Sequence, residues 1–296
     1  MDFDALFTLI LTGFQKASII ALIALGLSLI FGTLGVVNFA HGAIYMVATY
    51  FAVYLVNQIG FFAALILVPP IMFILGIAME RGLIRYFYDR PHTDQILVTF
   101  GAAIVIQEVL KALFGANNIP FAYPSWGLGP LPLHEYLPFL DSVWFPKWQL
   151  LLIVVMLVTA GAIFALLQFT RFGLVVRAGM RDPLMLRFLG INITQKFTLV
   201  FGLGALIAGI AGVFGGPVTQ VNPEVGMHQL VPSFLVVVIG GMGSLSGALV
   251  AALLLGMALS FSADYSAIQQ IAIYLVAAIV LLVRPRGLLG QKGVME

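Results

Sequence analysis

Long charge-free apolar runs, separated by short polar or basic clusters, fill most of this chain. A membrane-crossing helix needs about 20 predominantly apolar residues, and residues 17–37 supply one such run. Residues 43–79 carry no charge; Asn57-Gln58 and Gly60 divide them into two spans, the second holding Pro69-Pro70. Residues 95–114 continue the series across Glu108 and Lys111, 149–169 and 197–218 are clear spans, and 265–283 close it. The stretch 229–263 is too long for one upright helix, and Gly240, Gly241, Gly243 and Gly247 interrupt its middle, so it reads as two pieces. The pattern therefore predicts an all-α integral membrane protein, a polytopic bundle of about nine spans, or eight if one piece is re-entrant.

Composition closes off the alternatives. The 296 residues are 61% apolar or aromatic and 9% charged, against about 45–50% and about 25% in soluble domains. With a mean hydropathy of +1.10, the chain cannot cover itself with a polar surface. A soluble enzyme, a nucleic-acid binder, a disulfide scaffold and a disordered chain are all excluded. The 31 glycines and 14 prolines, many inside apolar runs, point to broken helices. Such breaks are tolerated in lipid only where the freed backbone is buried in protein or lines a cavity.

The charges set the orientation. Arg81, Arg85 and Arg90 share one loop; Arg171, Arg177, Arg181, Arg187 and Lys196 a second; Arg284, Arg286 and Lys292 the tail. These eleven of the fourteen basic residues mark cytoplasmic segments by the positive-inside rule. Residues 115–148 are proline-rich, carry Glu135 and Asp141, and hold Trp126, Trp144 and Trp148. They read as an external loop with an interfacial aromatic belt. Asp2 and Asp4 stand where a signal peptide would be basic, so no cleavable leader is expected.

Enzyme chemistry finds no footing. The chain has no Walker loop and no cysteine, and its four histidines, His41, His92, His134 and His228, share no metal-ligand spacing. Gly243-Ser244-Leu245-Ser246-Gly247 has Leu245 where a hydrolase elbow needs serine. Glu108 and Asp264 are single acids near span ends, not a proton relay.

Three features remain. Asn38-Phe39-Ala40-His41-Gly42 lies between two apolar runs. It is either a helix break lining a solute route, or a turn in which Asn38 caps the next helix and His41 sits at the headgroups. Gly240-Gly241-Met242-Gly243-Ser244 is the second break. At an offset of 205 positions Gly35, Gly42 and Ala43 match Gly240, Gly247 and Ala248, either an internal two-fold repeat or chance. The third feature is the basic loop 171–196. Asp182 caps a short helix with Pro183 first, Leu184, Arg187 and Phe188 fall at helical spacing, and Gly190 stops it. That helix either lies flat on the membrane or docks in a partner.

At this point the residues resemble a known family. Gly26-Leu27-Ser28-Leu29-Ile30-Phe31-Gly32 through Val37-Asn38-Phe39-Ala40-His41-Gly42-Ala43 is similar to the start of LivH-type permeases, membrane subunits of branched-chain amino acid ABC importers. The loop pattern from Arg177 to Asn192, Ala208-Gly209-Ile210-Ala211-Gly212, the glycine segment 240–247 and the tail Arg284-Pro285-Arg286-Gly287-Leu288 follow in that family's order. The one departure is Pro183-Leu184-Met185-Leu186, apolar after the proline where acidic or Ala-rich residues are expected.

The resemblance implies one permease domain, residues 1–296, in the bacterial cytoplasmic membrane. It implies a paralogous permease subunit as heterodimer partner, two cytoplasmic ATPases that use ATP and Mg, an external solute-binding protein, and no cofactor or nucleic acid on this chain. Arg177, Arg181, Asp182, Pro183, Arg187, Gly190 and Ile191 would form the ATPase-coupling segment. Asn38, Phe39, His41, Gly42, Gly240, Gly241, Gly243 and Ser244 would lie on the translocation path. A related class moving urea and short amides, and a stand-alone facilitator, are the alternatives.

Overall fold

The computed structural model describes residues 2–290, with the side chains of all of these except Met180, Arg181, Pro183, Leu184, Arg187, Ser266, Ala267, Ile268 and Gln270. It is an all-α bundle. The long helices are α1 (Phe3–Leu34), α2 (His41–Ile59), α3 (Phe61–Gly82) and α4 (His92–Phe114). A short 3-10 turn, Ile84–Phe87, joins α3 to α4. The loop between α4 and α6 contains a two-stranded antiparallel ribbon, β1 (Pro130–Pro132) paired with β2 (Trp144–Pro146), and a single turn, α5 (Leu133–Tyr136). Then come α6 (Lys147–Phe169), the short pair α7 (Arg171–Arg181) and α8 (Pro183–Phe188), and α9 (Ile193–Thr219). Three shorter apolar helices follow, α10 (Val225–Gly240), α11 (Leu245–Phe261) and α12 (Ser266–Val283).

Six of these, α1–α4, α6 and α9, are long and apolar enough to cross a membrane by length and composition. With α10, α11 and α12 they match the nine runs read from the sequence. Asn57, Gln58 and Gly60 mark the α2–α3 boundary, and α3 continues through Pro69 and Pro70. The first run is longer than the charge-free window suggests, because Gln15 and Lys16 fall inside α1. Gln15 is buried, and Lys16 Nζ donates to the Leu259 carbonyl at 2.9 Å. A paired amine does not end a helix.

The core is glycine-packed. α1 runs antiparallel to α11: Gly13 lies on Met257, Gly256 on Gly13 and Ala17, and Gly32 on Gly243. α3 fits α9 through Gly76 on Ala205 and Gly209 on Pro69. Without apolar driving force between helices in lipid, such close backbone approach supplies the dispersion that holds the bundle. Residues 17–30 of α1 are almost wholly buried, whereas α4 and α6 expose one apolar flank each.

This loop is tied to the start of α1. Asp141 N–H donates to the Asp4 carboxylate at 3.2 Å and Ser142 N–H at 2.9 Å. Leu133, Leu140, Val143 and Phe145 form a satellite core against Phe7 and Leu11. One expectation fails here. Trp148 is not part of an aromatic belt: it is 2% exposed, and its indole N–H donates to the Phe214 carbonyl at 3.0 Å. It sits one residue inside α6, where its ring turns onto Phe61 and Phe214. Trp126 and Trp144 remain exposed.

Candidate functional site

The first break follows α1. Gly35 takes a left-handed conformation (φ +65°) and its N–H closes on the Phe31 carbonyl, a helix stop that residues with a Cβ resist. Residues 35–40 run without helix until α2 begins at His41. Asn38 does not cap α2. Its Oδ1 accepts from the Ala40 N–H at 3.1 Å in a local turn, and its Nδ2 is buried without a partner. Nor does His41 reach headgroups: it is fully buried, with its ring against Gly26. The Ile23 backbone is its polar neighbour, but neither ring nitrogen is paired by strict hydrogen-bond geometry. A Cβ on Gly26 would stand 2.6 Å from His41 Nε2, so the imidazole fits only because residue 26 is glycine. Phe39 packs on Phe234 at 4.9 Å between ring centres, and Gly42 meets the Gly226 carbonyl.

α4 holds this break open. The Val37 N–H donates to Gln95 Oε1 at 3.3 Å and the Phe39 N–H to Thr99 Oγ1 at 3.0 Å. Both side chains are buried. Freed backbone donors are thereby satisfied by protein, as burial requires.

The second break joins α10 to α11. Gly241 (φ +100°) and Gly243 (φ +85°) make the turn, the Ser244 N–H donates to the Gly241 carbonyl at 2.9 Å, and Ser244 Oγ caps α11 by accepting from Gly247 N–H at 3.0 Å. Gly240 lies directly on Gly247. The tail closes over it, with Leu288 N–H donating to the Ile239 carbonyl at 2.7 Å and Leu289 N–H to that of Gly240 at 3.0 Å. The last turn of α1 meets the second break, since a Cβ on Gly32 would stand 2.8 Å from the Gly243 Cα. Phe39 and Gly42 instead lie along α10, on Phe234 and at its first turn on Gly226, whereas Gly240, Gly241, Gly243 and Ser244 lie at and beyond its other end.

The basic loop forms two helices in place of one. Thr170 caps α7 by accepting from Gly173 N–H at 3.1 Å. Asp182 caps α8 as the sequence suggests, accepting from Met185 N–H at 2.9 Å. Gly190, at φ +75°, ends it, with Ile191 N–H returning to the Leu186 carbonyl at 3.0 Å. Asn192 then caps α9 through Gln195 N–H at 3.1 Å. Phe188 is 86% exposed, and Met185 and Leu189 stand beside it in solvent. Arg177 and Ile191 are half-buried; the side chains of Arg181, Pro183 and Arg187 lie outside the described structure.

One cluster escapes the sequence reading. Glu80, at the end of α3, has a fully buried side chain. Arg85 Nε and Nη2 donate to its two oxygens at 3.2 and 3.1 Å, and the Tyr88 hydroxyl donates at 2.6 Å. Arg85 Nη2 also donates to Thr198 Oγ1 of α9 at 2.8 Å. The bond to Glu80 raises the Arg85 pKa. Burial first, then the bond to Glu80, push the Tyr88 hydroxyl well above the usual phenol range. Such a pair is favourable only with its remaining lone pairs satisfied, as they are here. Glu80 and Arg85 are five residues apart, a spacing that no helical rule singles out. Among the described residues, no group of three or more His, Cys, Asp or Glu could hold a metal.

Comparison with known proteins settles the family. Residues 9–284 match the family described as "Branched-chain amino acid transport system / permease component". The high-affinity branched-chain amino acid transport system permease protein LivH of Salmonella typhimurium is 28% identical over 94% of both chains. The permease protein BraD of Pseudomonas aeruginosa is 29% identical over 95% of both. The fructose import permease protein FrcC of Rhizobium meliloti shares 31% identity over only 36% of this chain and 31% of its own. No solved structure matches. With nine apolar helices among the described residues and a match running almost end to end, the chain is a multi-pass protein of the bacterial inner membrane and belongs to the family of branched-chain amino acid transport permease components.

Proposed function

We propose that this chain is the membrane-spanning permease subunit of an ATP-binding-cassette importer for branched-chain or similar neutral amino acids. The observation that carries this is the end-to-end likeness to permeases named for that transport. The chain pairs with a paralogous permease, is driven by two cytoplasmic ATPases that bind the ATP and Mg, and receives solute from an external binding protein. It catalyses no reaction itself, and all 296 residues serve one permease domain.

α7 and α8, with Arg177, Arg181, Asp182, Pro183, Arg187, Gly190 and Ile191, form the surface on which an ATPase acts. The exposed Phe188, Met185 and Leu189 support that reading, because apolar side chains projecting from a basic loop need a cover. The solute route passes the two breaks, along Asn38, Phe39, His41, Gly42, Gly240, Gly241, Gly243 and Ser244. The unpaired Asn38 Nδ2 and His41 nitrogens support it, since buried polar atoms without partners are uncommon except where something else is to meet them. ATP-driven closure then rocks the bundles between discrete packings.

The test is affinity purification of the chain in mild detergent, with mass spectrometry of the retained proteins and assay of ATP hydrolysis. Retention of a second permease and ATPases, with hydrolysis raised by a leucine-loaded binding protein, is the expected result. Gly190→Pro, which cannot adopt φ +75°, abolishes transport. A chain that emerges alone, without hydrolysis yet competent for flux in liposomes, is a facilitator and overturns the reading.

A further inference from the structure

We propose that Gln95, Thr99 and the cluster of Glu80, Arg85, Tyr88 and Thr198 form one hydrogen-bonded strut that carries movement of the coupling segment to the first helix break. This rests on the coupling role proposed above for α7 and α8.

The connection can be followed bond by bond. Gly179 of α7 packs on Ile193, the first residue of α9. Little more than a turn later, Thr198 accepts from Arg85 at 2.8 Å. Arg85 grips the buried Glu80 through two nitrogens, and Tyr88 closes the same carboxylate at 2.6 Å. The residue preceding Tyr88 is the next link, because the Phe87 carbonyl accepts from Gln95 Nε2 at 3.0 Å and the Arg90 carbonyl accepts from it at 3.2 Å. The other end of the same amide, Oε1, accepts the Val37 N–H. One turn along α4, Thr99 accepts the Phe39 N–H. The polypeptide on either side of Asn38 is therefore held by side chains whose other contacts lie in the α3–α4 loop and, through it, at the foot of α9.

Two physical features make this a strut and not a string of incidental contacts. Gln95 uses its full capacity: Oε1 faces the Val37 N–H and His92 Nδ1, and both donors of Nε2 are taken. Glu80 is fully buried with three donors on it. Breaking the bonds of Gln95 or of Glu80 strands a buried polar group, so those segments move together or pay that desolvation, while the Arg85–Thr198 bond ties them to α9.

Continuity of contact does not by itself demonstrate coupling, so the experiment must read coupling directly. The assembled complex is placed in liposomes with the binding protein, and uptake of radiolabelled leucine and ATP hydrolysis are measured together. Thr99→Val and Arg85→Met each lower leucine moved per ATP about tenfold, within the usual range of coupling between sites. Binding-protein-stimulated hydrolysis stays near wild type. The double variant falls no further than the worse single one, and Thr99→Ser restores the ratio. Should Arg85→Met fail to assemble, Thr198→Val removes the same link without touching Glu80. Uptake and hydrolysis falling in equal proportion, or an unchanged ratio in the single variants, overturns the strut. If Gly190→Pro leaves uptake intact in the same liposomes, the coupling reading itself fails. If Gly190→Pro abolishes uptake while the strut variants match wild type, only the strut fails.

Discussion

Gly35 and Gly241 each end an apolar helix in a left-handed conformation, and a new helix begins six residues later in one case and four in the other. What fills the gap differs. The first break is held by side chains reaching in from α4, and it leaves Asn38 Nδ2 and both His41 nitrogens unpaired. The second is held mainly through backbone, with glycine on glycine, the tail's N–H groups on the Ile239 and Gly240 carbonyls, and a side-chain cap from Ser244. The two helix breaks thus carry different vulnerabilities. One responds to loss of a polar atom, the other to gain of a methyl group.

The sharpest way to break that comparison is Gly243→Ala. It places a Cβ at φ +85° and 2.7 Å from the Gly32 Cα, with backbone on both sides unable to yield. A cost of about 3 kcal/mol is expected from overpacking with strain, read as loss of monodisperse protein in detergent. An unchanged melting temperature would show that the second break is not glycine-packed. Gln95→Leu is next, because it strands the Val37 N–H and two loop carbonyls, costing about 2–3 kcal/mol in thermal unfolding. Thr99→Val leaves one buried N–H unpaired and costs about 1–2 kcal/mol. Thr99→Ser should lie within about 0.5 kcal/mol of wild type. If valine is as stable as serine there, the side-chain clamp is not what holds the first break. Ser244→Ala removes a helix cap and costs about 1 kcal/mol, a small effect that confirms backbone as the second break's main support.

The smallest expected effect concerns pH. The Tyr88 pKa is raised, so its bond to Glu80 is fully present below the ordinary phenol value and is lost only as pH climbs through the raised one. Between about pH 6 and pH 9, well below that range, the stability difference between wild type and Tyr88→Phe should stay constant. A difference that shrinks across this window would contradict the buried, protonated phenol.

The sequence by itself determined the helices and their order. Apolar run length, set by bilayer thickness, predicted about nine spans, or eight with a re-entrant piece; the polar pair Asn57-Gln58 and the glycines at 240–247 placed two boundaries. Asp182 and Gly190 were legible because caps act on the nearest few residues. Local signals of this kind need no knowledge of what lies across the bundle. Tertiary structure decided everything that depends on a distant neighbour. Trp148 looks interfacial until α9 presents the Phe214 carbonyl to its indole. His41 reads equally as part of a helix break or as a headgroup residue until the packing buries its ring against Gly26. Glu80 accepts from Arg85 five residues on, and Arg85 reaches a further 113 residues along the chain to Thr198. The physical reason is the solvent. In a membrane interior no water rescues a freed N–H or a buried carboxylate, so each must find a partner among residues that only the packing of helices brings within 3 Å.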